Sequence, residues 1–272
     1  MSMKDTNSNI PLKLFLYLIA FTILAPLVIL VLWTFTSRWP WPNLFPTSFS
    51  LRALEEVFAP YANLLPTLVS SILLSLTVAL LSAIVGTMTA RALVFYDFFG
   101  KGLIKLLTMA PNIVPGTVFA MGIHVVFIRM SLADTLVGVI IVHLIYTLPY
   151  SINIMRDLTS SIGQQMELQA YVLGASPLKS FIYITLPLLA PGVLASMNMA
   201  YITSFSQYFL TLLIGGGKIR TLSTLMVPFI AKGDRSIGSA YALIFVLSTL
   251  TIFIVMDRVI KRLSFRNKEE NL

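Results

Sequence analysis

Six stretches of this chain are predominantly apolar over a length that can cross a bilayer. A helix needs about 20 such residues to span the hydrocarbon core. Backbone N–H and C=O groups find no water there, so only helices and closed barrels can span. Segments this long select helices. They run from Leu14 to Phe35, Leu64 to Ala90, Leu103 to Ile128, Leu136 to Met155, Ile182 to Tyr208 and Ile237 to Val259. Only 11% of residues are charged, with mean hydropathy +0.88, against about 25% charged in soluble domains. The fold class is therefore an all-α integral membrane protein with six transmembrane helices. The first apolar run lacks a small-residue cleavage site and reads as a retained helix rather than a signal peptide.

Lysine and arginine set the orientation. With the N-terminus inside, twelve of the nineteen fall in inner segments. Both termini are then cytoplasmic. The net charge of +8 reflects these flanks, and no nucleic-acid partner is implied. With no cysteine, disulfides, thiolate metal sites and cysteine nucleophiles are excluded. His124 and His143 are isolated and read as interhelical hydrogen-bond partners.

The longest polar interruption with helix grammar is Ser160 to Pro191. Ser161 and Gln164 make a capping box, predicting a helix from Ile162 to Leu173. Gly174 stands where a left-handed glycine ends a helix. Ser176 and Pro177 supply an N-cap and a first helical residue. Pro187 and Pro191 disturb the helix as it becomes apolar. On this topology the elbow faces the cytoplasm, where a soluble partner can dock.

Small residues recur every four positions at Ser71, Ser75, Ala79 and Ala83, and again at Gly192, Ser196, Ala200 and Ser204. Such stripes let helices approach closely, within one subunit or against a second. Asn198, Tyr201, Ser204, Gln207 and Tyr208 put polar groups in the fifth span, with Asn198, Tyr201 and Tyr208 on one helical face. Polar groups at membrane depth face protein or a water-filled path. They are candidate pathway lining, with interhelical hydrogen bonding the equal alternative. Pro111 and Pro115 weaken the third span, predicting a kink or irregular turn, hinged or static. Asp257 and Arg258 read as a snorkelling pair at the inner end of the last span.

The segment between the first two spans carries Trp39, Trp41, Phe45 and Phe49, aromatic anchors of an interface. Ser50 can cap a short helix through Phe58. The apolar run after Gly217 can hold another short helix, lying at the surface or dipping into the membrane.

No P-loop occurs, because Leu212 fills a required glycine position and Ile219 follows Gly217-Lys218. The sequence shows no carboxylate cluster within the spans and no catalytic constellation. Active transport would draw its energy from elsewhere.

The elbow resembles the cytoplasmic signature of the membrane subunits of binding-protein-dependent ABC importers, the type I importer permeases. That signature reads E-A-A, four residues, G-A, then F-x-x-I-x-L-P and a second proline. Gly174-Ala175, Phe181, Ile184, Leu186-Pro187 and Pro191 match it, with thirteen residues from Gly174 to Pro187. The resemblance covers residues 64–260. It departs at the acid: aligned on Gly174, the family's glutamate falls on Leu168 and its alanines on Gln169 and Ala170. Glu167 lies one residue early, about 100° around the helix.

The resemblance implies a permease core over 64–260, with the coupling loop at 156–181 between the fourth and fifth spans. Residues 1–13 are then a cytoplasmic N-terminus, 14–35 the first span, 36–63 an outer loop and 261–272 a basic cytoplasmic tail. The coupling residues are Glu167, Leu168, Gln169, Ala170, Gly174, Ala175, Ser176 and Pro177, with Pro111, Pro115, Pro187 and Pro191 as hinge or motif positions. Implied partners are cytoplasmic ABC ATPases carrying ATP and magnesium, an extracytoplasmic binding protein and a second permease subunit, a non-identical one being the first choice. This chain needs no cofactor of its own and is not itself an enzyme. Its expected location is the plasma membrane of a prokaryote. TFTSRWPWP and SQYFLTLLIGGG look like the branch serving polyamines, phosphonates, ferric iron and thiamine. The alternative is a self-contained secondary transporter or channel; a secondary transporter calls for inverted repeats and buried ionisable groups.

Overall fold

A computed structural model describes residues 10–40 and 42–269. Trp41 and the basic tail's last residues, 270–272, lie outside the described residues, as do residues 1–9. The chain is helical almost throughout. Helix α1 covers Ile10–Thr34. A small antiparallel pairing of β1 (Thr36–Arg38) with β2 (Ser48–Phe49) follows. The short helix α2 is Arg52–Phe58. Ser50 starts it, its Oγ accepting the Arg52 N–H at 3.1 Å, although Leu51 occupies the cap position. A single 3-10 turn at Pro60–Ala62 leads into α3, Leu64–Phe95.

The third apolar run is divided. Helix α4 ends at Ile113 and α5 runs Gly116–Arg129, with Pro115 at its N-cap. Pro115 fixes its own φ and pushes Val114 out of the α region, which separates the two helices. Pro111 falls in the last turn of α4 (Lys101–Ile113). The single span expected from Leu103 to Ile128 is thus two shorter helices. Five helices among the described residues are long and apolar enough to cross a membrane, where six were expected.

Helix α6 is Leu136–Ile162, α7 Gln165–Val172 and α8 Pro177–Ser180. A π-helical turn, Phe181–Thr185, joins α8 to α9 (Leu186–Phe205). Helix α10 is Phe209–Gly215, α11 Leu222–Ala231 and α12 Arg235–Glu269. The short helix expected after Gly217 is α11.

Two compact units divide the chain. One holds the residues up to Leu64 together with Met226–Leu247. In it Ser236 donates to the Thr36 carbonyl, Trp33 stacks on Trp39 at 5.0 Å, and Phe229 stacks on Tyr241. Helix α1 is exposed along its apolar length, as a helix facing lipid would be.

The other unit holds Leu65–Leu225 and the chain from Ser248 onward. Helix α6 is its centre, packed along α9 and also against α10 and α4. One apolar cluster joins Leu74 and Val78 of α3, Phe127 of α5, Val139 and Val142 of α6, and Ile214 of α10. A smaller one joins Ala90, Met155 and Leu189 from α3, α6 and α9. Both small-residue stripes are buried inside this unit. A Cβ on Gly86 would lie 2.7 Å from that of Ser151, so only glycine lets α3 approach α6 there. Next to it Ser82 and Ser151 share a hydrogen bond of 2.7 Å. Packing within the chain therefore accounts for the stripes.

Candidate docking elbow

Helix α7 does not begin at the predicted capping box. Ser161 lies in the last turn of α6, its hydroxyl donating to the Leu158 carbonyl at 2.8 Å. Helix α6 continues to Ile162, and Gly163 ends it with a positive φ of 71°. A serine near a C-terminus can satisfy a carbonyl as well as an N-terminal amide, and local spacing does not separate the two. The helix spans Gln165–Val172, shorter than the expected Ile162 to Leu173.

Its far end follows the sequence reading. Gly174 adopts φ +87°. The Gly174 N–H donates to the Tyr171 carbonyl at 3.0 Å, and the Ala175 N–H to the Ala170 carbonyl at 2.9 Å. These paired bonds define a Schellman ending. An added Cβ would meet nothing within 4 Å, so the backbone conformation alone calls for glycine. Ser176 then caps α8, its Oγ accepting the Lys179 N–H at 3.4 Å, with Pro177 at the first helical position.

The turn at Phe181–Thr185 closes through the Leu186 N–H to the Phe181 carbonyl, five residues back. Pro187 explains it. In a regular ladder its ring would meet the carbonyl four residues before it, and widening one turn removes that clash. Pro191 sits inside α9 without ending it.

The elbow has two faces. Ala170 is buried, and so is Glu167, only 3% exposed. Its carboxylate receives both arms of Arg91 from α3, Nη1 to Oε1 at 2.7 Å and Nη2 to Oε2 at 3.0 Å. The Thr185 hydroxyl of the π turn donates to the same Oε1. Arg91 also lies over two rings, 5.3 Å from the centroid of Phe95 and 5.0 Å from that of Phe181, a cation–π arrangement. Burial would raise the Glu167 pKa, but the hydrogen bonds from Arg91 and Thr185 and the Arg91 charge outweigh it, holding the group below its ordinary value. The carboxylate is therefore ionised at neutral pH.

The other face is exposed and apolar. Leu168 is 51% exposed, Val172 88%, Leu173 87% and Leu178 68%. Gln169, Gly174, Ser176 and Pro177 are exposed beside them, and Ala175 is half-buried. Arg91 and Thr185 escaped the sequence reading. The available signal was one lone cation ending an apolar span and one lone acid in the elbow.

The polar residues of the fifth span separate. Helix α9 stops at Phe205, so Gln207 and Tyr208 lie in the break before α10 and Tyr208 does not share a helical face with Asn198 and Tyr201. The predicted span to Tyr208 ran past this break because Gln207 and Tyr208 lie between apolar neighbours. Ser204 is buried against His143, whose Nδ1 lies 2.9 Å from Ser204 Oγ and whose Nε2 lies 3.0 Å from Thr211 Oγ1. His143 is thus a satisfied interhelical partner, while His124 is half-buried on α5. Tyr201 is fully buried, stacked on Phe205 at 5.3 Å with Phe253 edge-on at 6.1 Å. The Tyr201 hydroxyl and Asn198 Oδ1 are buried with no hydrogen-bond partner among the described residues.

Residues 82–269 match the family model of the binding-protein-dependent transport system inner membrane component. The chain belongs to this family. This permease is 25% identical over 232 residues to the spermidine/putrescine transport system permease protein PotC homolog of Mycoplasma pneumoniae, covering 84% of this chain and 78% of that one. It is 26% identical over 187 residues to the molybdate/tungstate transport system permease protein WtpB of Pyrococcus abyssi, covering 69% and 75%. It is 23% identical over 240 residues to the putative 2-aminoethylphosphonate transport system permease protein PhnV of Salmonella typhi, covering 88% and 90%. Its fold matches a chain in the crystal structure of a bacterial ABC transporter involved in the import of the acidic polysaccharide alginate. The TM-score is 0.61 at 16% identity, over 95% of this chain and 98% of that one. The permease is a multi-pass membrane subunit of an ABC importer and is not itself the catalyst. The family match encloses Arg91, the elbow, the π turn and α9.

Proposed function

We propose that the elbow of α7, Gly174 and α8 is the surface on which a cytoplasmic ATPase docks and through which ATP-driven closure moves this subunit. The observation that carries the reading is the division of the elbow into an exposed apolar face at Leu168, Val172, Leu173 and Leu178 and a buried Glu167–Arg91 ion pair. Leu168 occupies the place of the family's acid, so docking rests on shape and apolar contact. Glu167 instead ties the elbow to α3 through Arg91 and to the head of α9 through Thr185. Force applied at the elbow then reaches two long helices at once. ATP and magnesium belong to the ATPase, and this chain contributes no cofactor.

Helices α4 and α5 together supply the sixth crossing, with both termini cytoplasmic. The subunit pairs with a second permease, a non-identical one by preference, in a prokaryotic plasma membrane. A binding protein delivers a small polar or charged solute, in keeping with relatives named for polyamines, aminoethylphosphonate and molybdate. Asn198 and Tyr201 hold buried polar atoms that a solute or its water could satisfy, with Ser204 beside His143 and Gln207 and Tyr208 in the break after α9 as further candidates. Pro115, which divides the third apolar run, is the better hinge candidate of the Pro111–Pro115 pair.

Replacing Gly174 with proline removes the Gly174 N–H donor and the left-handed conformation together. In vesicles holding the whole importer, this variant should insert normally yet hydrolyse ATP without uptake. Normal coupling in it would overturn the docking role.

A further inference from the structure

The unit built from the start of the chain and Met226–Leu247 contains a feature apart from the elbow. A cavity of about 780 Å³ opens where α1, the β1 strand, α2 and the start of α12 meet. Its walls carry four cations, Arg38, Arg52, Lys232 and Arg235, against one carboxylate, Asp234. Arg52 uses that carboxylate, with Nη2 at 3.0 and 3.1 Å from its two oxygens. Arg235 lies 5.4 Å over the Trp33 ring. Arg38 and Lys232 are exposed and have no ion-pair partner among the described residues. The cavity therefore holds an uncompensated positive field.

A second cavity of about 440 Å³ shares Trp33, Gly233 and Arg235 with the first and continues along α1 and α12. Apart from these its lining is almost wholly apolar, including Leu30, Ile230 and Ala242. A cationic chamber thus opens onto an apolar groove beside α1, most of whose apolar side chains are exposed. The Trp33–Trp39 pair marks the level of a membrane interface.

We propose that this double cavity binds one anionic phospholipid, its phosphate among Arg38, Lys232 and Arg235 and one acyl chain along the groove at Ala242. A free phosphate would need the first chamber only. An acidic protein surface would leave the groove empty. The continuity of charge with grease favours a molecule that has both, and interfacial cations attract anionic lipid.

The test uses the full chain in phosphatidylcholine vesicles doped with dibrominated phosphatidylglycerol or dibrominated phosphatidylcholine. Trp33 and Trp39, two of the three tryptophans of the chain, line the first cavity, so bromine quenching reports on this place. The phosphatidylglycerol should quench at a lower mole fraction. Each of Arg38→Gln and Lys232→Gln should lower that preference roughly fivefold, with quenching by the phosphatidylcholine unchanged as the sign of an intact fold. Ala242→Phe fills the groove and should lower the preference with every cation present. Excess glycerol 3-phosphate should leave the quenching as it was. Equal quenching by the two lipids, a preference untouched by the charge or groove variants, or displacement by glycerol 3-phosphate would each overturn the assignment.

Discussion

Glu167 stands one residue ahead of the aligned acid position, and helix geometry turns it inward to Arg91 while Leu168 faces out. A bidentate pair this well buried is strongly destabilised when one partner is removed and the other is left uncompensated. Glu167→Gln should lower unfolding stability by about 3 kcal/mol, read from unfolding in mixed detergent. The double variant Glu167→Met with Arg91→Met should recover most of that loss, and additive losses would disprove the coupling. The pH dependence has a definite sign. The folded pKa is lowered from 4.5, so the ion pair contributes fully above that value and is lost as pH falls through the lower folded value. The acid was legible in the sequence as an outlier from the family pattern. Its partner was not, because Arg91 lies 76 residues away and only the packing of α3 against the elbow brings them together.

At the scale of elements, backbone chemistry was legible where one residue type enforces one conformation. Gly174, Ser176 and Pro177 each do what their chemistry requires, and so does Pro115 between α4 and α5. The capping-box reading of Ser161 and Gln164 failed because Gly163, between them, ends α6 first. The π turn was legible only as a disturbance, since Pro187 removes a donor without saying how the preceding turn adapts. Its consequence is specific: the wider turn sets where Thr185 points. Pro187→Ala should let the segment wind as ordinary α-helix and rotate Thr185 away from Glu167. We expect a helix at least as stable by hydrogen exchange, yet severalfold slower uptake by the assembled importer. Unchanged uptake would show that the π turn has no part in coupling.

For the whole molecule, the apolar pattern showed a membrane protein because the bilayer demands long helices. It overcounted continuous spans, since hydropathy cannot see that Pro115 breaks the third run. The small-residue stripes left open which neighbour they meet, because spacing describes a face and not its partner; the folded chain buries both within itself. The central claim is that the exposed apolar elbow is covered by an ATPase. The chain has no cysteine, so Val172→Cys introduces a single thiol at an 88% exposed position. Its labelling by an impermeant maleimide in inside-out vesicles is the most direct test. The account predicts rapid labelling when the ATPase has been stripped away and strong protection when it is bound. Equal labelling in the two states would contradict it.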